Sequence, residues 1–133
     1  MSEIFRSSYT NPDPYCYIPA SLSEIYDMLA SLAGGAPTFV DPMFPERNID
    51  TEFEILRRAL DIVRGKLGDE GHAAALDLAA RAKALFLDDP AEDNGKTSEG
   101  IKLIFEIEDI IQSVRNRRTK AGIKDEEGRV SGD

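Results

Sequence analysis

Residues 101–114 constrain this chain more than any other segment, because they carry apolar side chains around more than half of a helical circumference. With each residue turning about 100° round the axis, Leu103, Ile104, Ile107, Ile110, Ile111 and Val114 fall in one arc about 120° wide. Ile101 and Phe105 widen that arc, leaving Lys102, Glu106, Asp109 and Ser113 for the remaining side. An ordinary surface helix carries a narrower stripe, so this one must touch several neighbours or a second subunit. Glu108 projects among Ile101, Ile104, Phe105 and Ile111, where a carboxylate needs a donor, a wet edge or a proton. A rim glutamate paired with an arginine is the expected solution; a functional acid of raised pKa is the alternative.

Three further helices are legible. Ser21-Leu22-Ser23-Glu24 fits an S-x-x-E capping box, after which Leu22, Ile25, Met28, Leu29 and Leu32 share one face until Gly34-Gly35. The second helix is expected to take Asp50 as its N-cap and to run to Leu67, with Gly68 past its end. Phe53, Leu56, Leu60, Val63 and Leu67 form its inner side. An alanine-rich third helix starts near Asp69 or Glu70 and stops before Pro90, and its small side chains allow close neighbours on both sides. The fourth starts around Thr97 or Ser98 and continues to Arg118, where Arg115, Arg117 and Arg118 suit the negative end of a helix dipole.

These patterns predict an all-α, four-helix bundle-like domain over residues 21–118, with helices two and three forming an antiparallel hairpin. Residues 1–20 form an extended arm: Pro12, Pro14 and Pro19 oppose helix, while Phe5, Tyr9, Tyr15 and Tyr17 favour packing across the domain or across a partner subunit. The polar segment 119–133 reads as a disordered tail. Residues 36–48 hold three prolines and Phe39, Val40, Met43 and Phe44, which suggests a packed loop rather than a free linker.

At 133 residues the chain fits one domain with a core that needs no staples. The single cysteine, Cys16, cannot form an internal disulfide, the first residues show no secretory pattern, and no apolar run reaches the ~18 residues of a membrane span. A cytoplasmic protein off the membrane is the expectation. The net charge of −9 is uneven: up to Val114 there are ten Lys and Arg against 21 Asp and Glu, a net −11. Such a body repels phosphate backbones and favours either a cationic partner or no partner and simple solubility, and charge alone does not choose between the two.

Catalytic patterns are sparse. His72 is the only histidine, and neither a nucleophile nor a zinc set can be assembled from it and Cys16 in sequence. The residues after it, Ala73 to Asp77, lack the lysine and glycine that phosphotransfer histidines usually have, so His72 reads as a first-turn residue without a role. No phosphate loop, dinucleotide fingerprint or nucleophile elbow occurs. The basic run from Arg115 to Lys124 has no interleaved aromatic for base stacking. Glu24 with Asp27, and Glu106 with Asp109, have an E-x-x-D spacing that resembles all-helical nucleotide pyrophosphohydrolases over eight residues of the chain. That resemblance implies a metal between inward-facing carboxylates, yet Asp27 and Asp109 point well away from their helices' apolar arcs.

The function expected from sequence is therefore a non-catalytic protein–protein interaction module, of an adaptor, regulator or immunity-type inhibitor kind, that also self-associates and needs no cofactor. Its expected interaction residues are Tyr15, Tyr17, Phe39, Phe44, Ile101, Phe105 and Glu108. A small metal-dependent hydrolase using the four carboxylates across a dimer interface is the first alternative. Nucleic-acid binding through the basic C-terminal turn is the second.

Overall fold

The computed structural model describes residues 13–122. Four helices, α1 (Leu22–Gly35), α2 (Ile49–Ile62), α3 (Arg64–Leu87) and α4 (Lys96–Lys120), pack against one another, with no strand among the described residues. The ring closes through α1 on α2, α2 on α3, α3 on α4 and α4 on α1. The α3–α4 contact is the most extensive and the α1–α2 contact the least. This is the all-α bundle that the periodicity predicts. Of the expected tail, residues 119 and 120 complete α4 and residues 123–133 lie outside the described residues, as do residues 1–12 of the expected arm.

The core is built from the predicted faces. Leu22, Ile25 and Leu29 of α1, Leu56, Ala59 and Leu60 of α2, Ala75 and Ala82 of α3, and Ile104, Ile107 and Ile111 of α4 are wholly buried. Each large aliphatic side chain removed from water contributes roughly 1.5–3 kcal/mol. The broad stripe of α4 has a cause within one chain: α1 covers one side of it and α3 the other. Only Phe105 remains well exposed, with Ile101 and Ile110 half-buried. Ala75, Ala79 and Ala82 of α3 are buried, as expected of a helix flanked on two sides by α2 and α4.

Local rules set the helix starts, with two corrections. Ser21 Oγ accepts the Glu24 N–H (3.1 Å), as the capping box requires, but the Glu24 carboxylate reaches one residue further back, accepting the Ala20 N–H at 3.1 Å. Helix α2 is capped by Asn48, not Asp50: Asn48 Oδ1 accepts the Thr51 N–H (3.0 Å) and Thr51 Oγ1 accepts the Asn48 N–H (2.9 Å). This reciprocal Asn-x-x-Thr box brings Ile49 into the first turn, where it packs on the core. Helix α2 also ends sooner than expected, at Ile62. Val63 joins it to a single turn, and Gly68, at φ 79° and ψ 162°, separates that turn from the main run of α3. A positive φ of this kind suits glycine and explains why the chain bends there.

Helix α4 has no cap from its own N-cap residue, Gly95, whose φ is 87°. The cap comes from the preceding loop. The carboxylate of Asp89, 1 % exposed, accepts the N–H groups of Thr97 (2.9 Å), Asp93 (2.8 Å) and Asn94 (3.3 Å). Desolvation works to raise its pKa but is outweighed by these donors, Thr97 foremost, so the group is held below the usual carboxylate range. A depressed folded pKa gives stability that is present above the unfolded value of about 3.9 and lost as pH falls through the folded one. Asp89→Asn should therefore lower Tm at neutral pH and flatten the acid side of the Tm–pH profile; an unchanged acid limb would contradict the assignment.

Three rings lock the top of the core. Phe39 from the α1–α2 connection, Phe53 of α2 and Phe86 of α3 meet edge-on or tilted at centroid distances of 5.8, 5.6 and 6.1 Å. Phe39 holds a left-handed backbone, φ 59°, which a bulky residue adopts only where packing over-determines it. Phe39 is thus a core residue at 7 % exposure, although it also borders a groove at the surface.

A candidate interaction groove between the first two helices

The weak contact between α1 and α2 leaves space that the arm and the α1–α2 connection only partly fill. A groove of about 320 Å³ opens there, lined by Tyr17, Pro19, Glu24, Asp27, Met28, Ser31, Arg47, Glu52 and Ile55. A second, of about 220 Å³, shares Ser31, Arg47 and Glu52 and extends to Phe39, Val40, Asp41 and Pro42. Together they form one depression with an apolar floor and a rim of carboxylates.

The arm reaches this site within its own chain over the described residues. Tyr15 lies beneath the Arg58 guanidinium of α2, 4.4 Å from its ring centroid, a cation–π contact. Pro19 is buried and Ile18 packs on the core. Tyr17 donates its hydroxyl to the Glu24 carboxylate of α1. That bond first, and then burial, pushes the Tyr17 phenol up to about 12. The same bond, followed by the Ala20 N–H, holds Glu24 below the ordinary carboxylate range. The stability from the contact is present below the unfolded tyrosine pKa of about 10 and lost as pH rises through about 12. In a spectrophotometric titration, Glu24→Gln should move one tyrosine down toward about 10. Four tyrosines titrating identically in both proteins would contradict the contact.

Glu52 occupies the centre of the depression. Its Oε2 is buried without a hydrogen-bond partner and lies 3.8 Å from Arg47 Nε, an ion pair too long for a hydrogen bond. Desolvation raises its pKa, and Arg47 offsets only part of that. Arg47 itself lies over the Phe44 ring, 5.7 Å from the centroid. Beside the groove the connection presents Val40, Met43 and Phe44 at 74, 65 and 40 % exposure. The prolines and the Asp41 turn, whose carboxylate accepts the Met43 N–H at 2.9 Å, hold this tip outward. The loop expected to be packed is buried at Phe39, with Ala36 also against the core, while Val40, Met43 and Phe44 stay exposed.

The other sequence-derived residues are dispersed. Ile101, Phe105 and Glu108 lie on α4 and do not line the groove. Glu108 is half-buried, and desolvation, then the charge of Asp109, raises its pKa. Asp27, Glu106 and Asp109 are exposed, and Glu24 is committed to Tyr17 and the α1 cap. No three His, Cys, Asp or Glu converge on a metal-sized position among the described residues. Asp109 instead borders a separate groove of about 580 Å³ with Asp69, Glu70 and Arg117. His72, in the first turn after Gly68, is buried. Its Nε2 lies 2.7 Å from Asp61 Oδ1, while Arg57 donates to Asp61 Oδ2 at 2.8 Å, tying α3 to α2. Arg117, Arg118 and Lys120 form the last turn of α4, at the negative end of its dipole. No helix among the described residues is long and apolar enough to cross a membrane.

Of the interaction residues expected from sequence, Tyr17 and Phe39 line the groove and Phe44 stands beside it, whereas Glu52, Arg47, Val40 and Met43 are not among them. The available signal was a valine, a methionine and a phenylalanine between prolines in a segment too irregular to bury all of them. Comparison of the chain with family models, with curated proteins and with solved structures yields no match.

Proposed function

We propose that the protein is a non-catalytic interaction module that docks another protein on the depression between α1 and α2. The observation that carries this reading is the exposed apolar tip, Val40, Met43 and Phe44, standing beside a preformed groove. Isolated exposed apolar residues are ordinary, but three within one short loop at a groove edge make a patch of the kind that partners cover. The base of the loop is anchored in the core by Phe39.

Cross-linking capture from the native host with the full chain as bait tests this reading. Val40→Ser with Met43→Ser alters only exposed side chains, so stability should stay within about 0.5 kcal/mol. A partner captured by the wild type and lost by the double variant at unchanged Tm supports the reading. A partner retained by the double variant contradicts it.

A further inference from the structure

The α1–α2 groove carries more than an apolar patch. Asp27, Glu24 and Asp41 border it and Glu52 sits at its centre, against the single cation Arg47. Between them the floor is apolar, with Met28 and Ile55. We infer that the groove accepts a basic amphipathic segment of the partner, its apolar side chains on Met28 and Ile55 and its lysine or arginine heads on the carboxylates. The inference rests on the interaction reading above and specifies the chemistry of what docks.

Two independent features converge on it. The first is charge complementarity: a groove with one cation among several carboxylates, on a body of net −11 up to Val114, attracts and orients a cationic segment and repels an acidic one. The second is the unsatisfied acceptor. Glu52 Oε2 is buried with no hydrogen bond and only a long ion pair, 3.8 Å from Arg47 Nε, a costly state that a partner's ammonium or guanidinium N–H joining Arg47 there would relieve. Relief of that kind is a differential interaction, made only in the complex. The free protein bears the cost and the bound one recovers it. The separate groove bordered by Asp69, Glu70 and Asp109 has no such buried orphan acceptor among the described residues, which makes it the natural control.

The test uses the full chain and a fluorescent synthetic helix of about 18 residues, long enough to form, with leucine on one face and lysine on the other. Saturable binding is expected, weakened about tenfold or more by Asp27→Asn with Glu52→Gln, weakened by salt, and unchanged by Glu70→Gln with Asp109→Asn. The same peptide with glutamate replacing lysine should not bind. Absence of saturable binding, or equal losses in both carboxylate pairs, overturns the inference. So does a salt-sensitive dimer of the protein that Glu52→Gln abolishes, because the occupant is then a second copy. If the glutamate peptide binds equally and Val40→Ser with Met43→Ser abolishes both, the inference fails while the interaction reading stands. If the loop variant changes nothing either, both fail.

Discussion

Replacing Phe86 with alanine is expected to remove about 3–5 kcal/mol of stability, the range for deleting a buried aromatic side chain. Phe86 is 1 % exposed and packs against both Phe39 and Phe53. Its loss leaves a cavity where the connection, α2 and α3 meet, and the left-handed backbone at Phe39 loses a packing partner that holds it. A domain of this size has a total of about 5–15 kcal/mol, so the variant should be close to the edge of folding. Chemical denaturation of the variant beside the wild type measures this. A loss under about 1 kcal/mol would show that the site collapses freely and that the three-ring cluster is not a rigid unit.

The second large effect comes through the same ring. Gly100, in the first half of α4, is buried against Phe86, and a Cβ added there would lie 2.5 Å from Cε1, 2.9 Å from Cζ and 3.0 Å from Cδ1. Helix propensity alone favours Gly100→Ala by about 1 kcal/mol. Overpacking against a ring already in contact with two others opposes it by about 1–3 kcal/mol. The net expectation is destabilisation. Because both effects act through one contact, Gly100→Ala should cost less in a Phe86→Leu background, giving a coupling of about 0.5–3 kcal/mol in a double-mutant cycle. A stabilising Gly100→Ala would mean that α3 and α4 do not approach as closely as described.

These two residues also mark how far the sequence could be read. The helices were legible because i, i+3, i+4 spacing reports which face is buried whatever the neighbour, and the faces centred on Ile104 and Leu56 lie where the pattern puts them. The partner of a face was not legible. The width of the α4 stripe left a second subunit open, and only the closed ring of helices shows that α1 and α3 account for most of it. Gly100 reads as a flaw in a helix until the Phe86 ring is seen lying on it. The cap of α4 escaped notice because Asp89 acts across eight residues, whereas capping patterns are local.

The groove was hidden for a related reason. Its carboxylates come from α1, from the α1–α2 connection and from α2, and only the spacing of those elements brings Glu52 near Asp27. Sequence could place Tyr17 and Glu24 seven residues apart without showing that their side chains meet. It assigned Phe39 to the surface with Phe44, although the left-handed turn at Phe39 sends that ring inward while Phe44 stays out over Arg47. What separates these two phenylalanines is backbone geometry, which composition does not carry.

Thermodynamically the site resembles a binding surface more than a stabilising one. Burial raises the Glu52 pKa and Arg47 offsets only part of that, so the charged form of this carboxylate is disfavoured by the fold. Exposed Val40 and Met43 likewise add little to the fold. Residues that contribute little to stability, gathered around one groove, are what a docking surface requires.

Amide hydrogen exchange of the full chain, free and saturated with its captured partner, tests the central claim most directly, because it locates the contact without assuming its chemistry. Slowed exchange confined to residues 17–31 and 39–55, the two walls of the groove, is the predicted result. Slowed exchange along residues 101–112 of α4 instead, with the α1–α2 region unchanged, would contradict it.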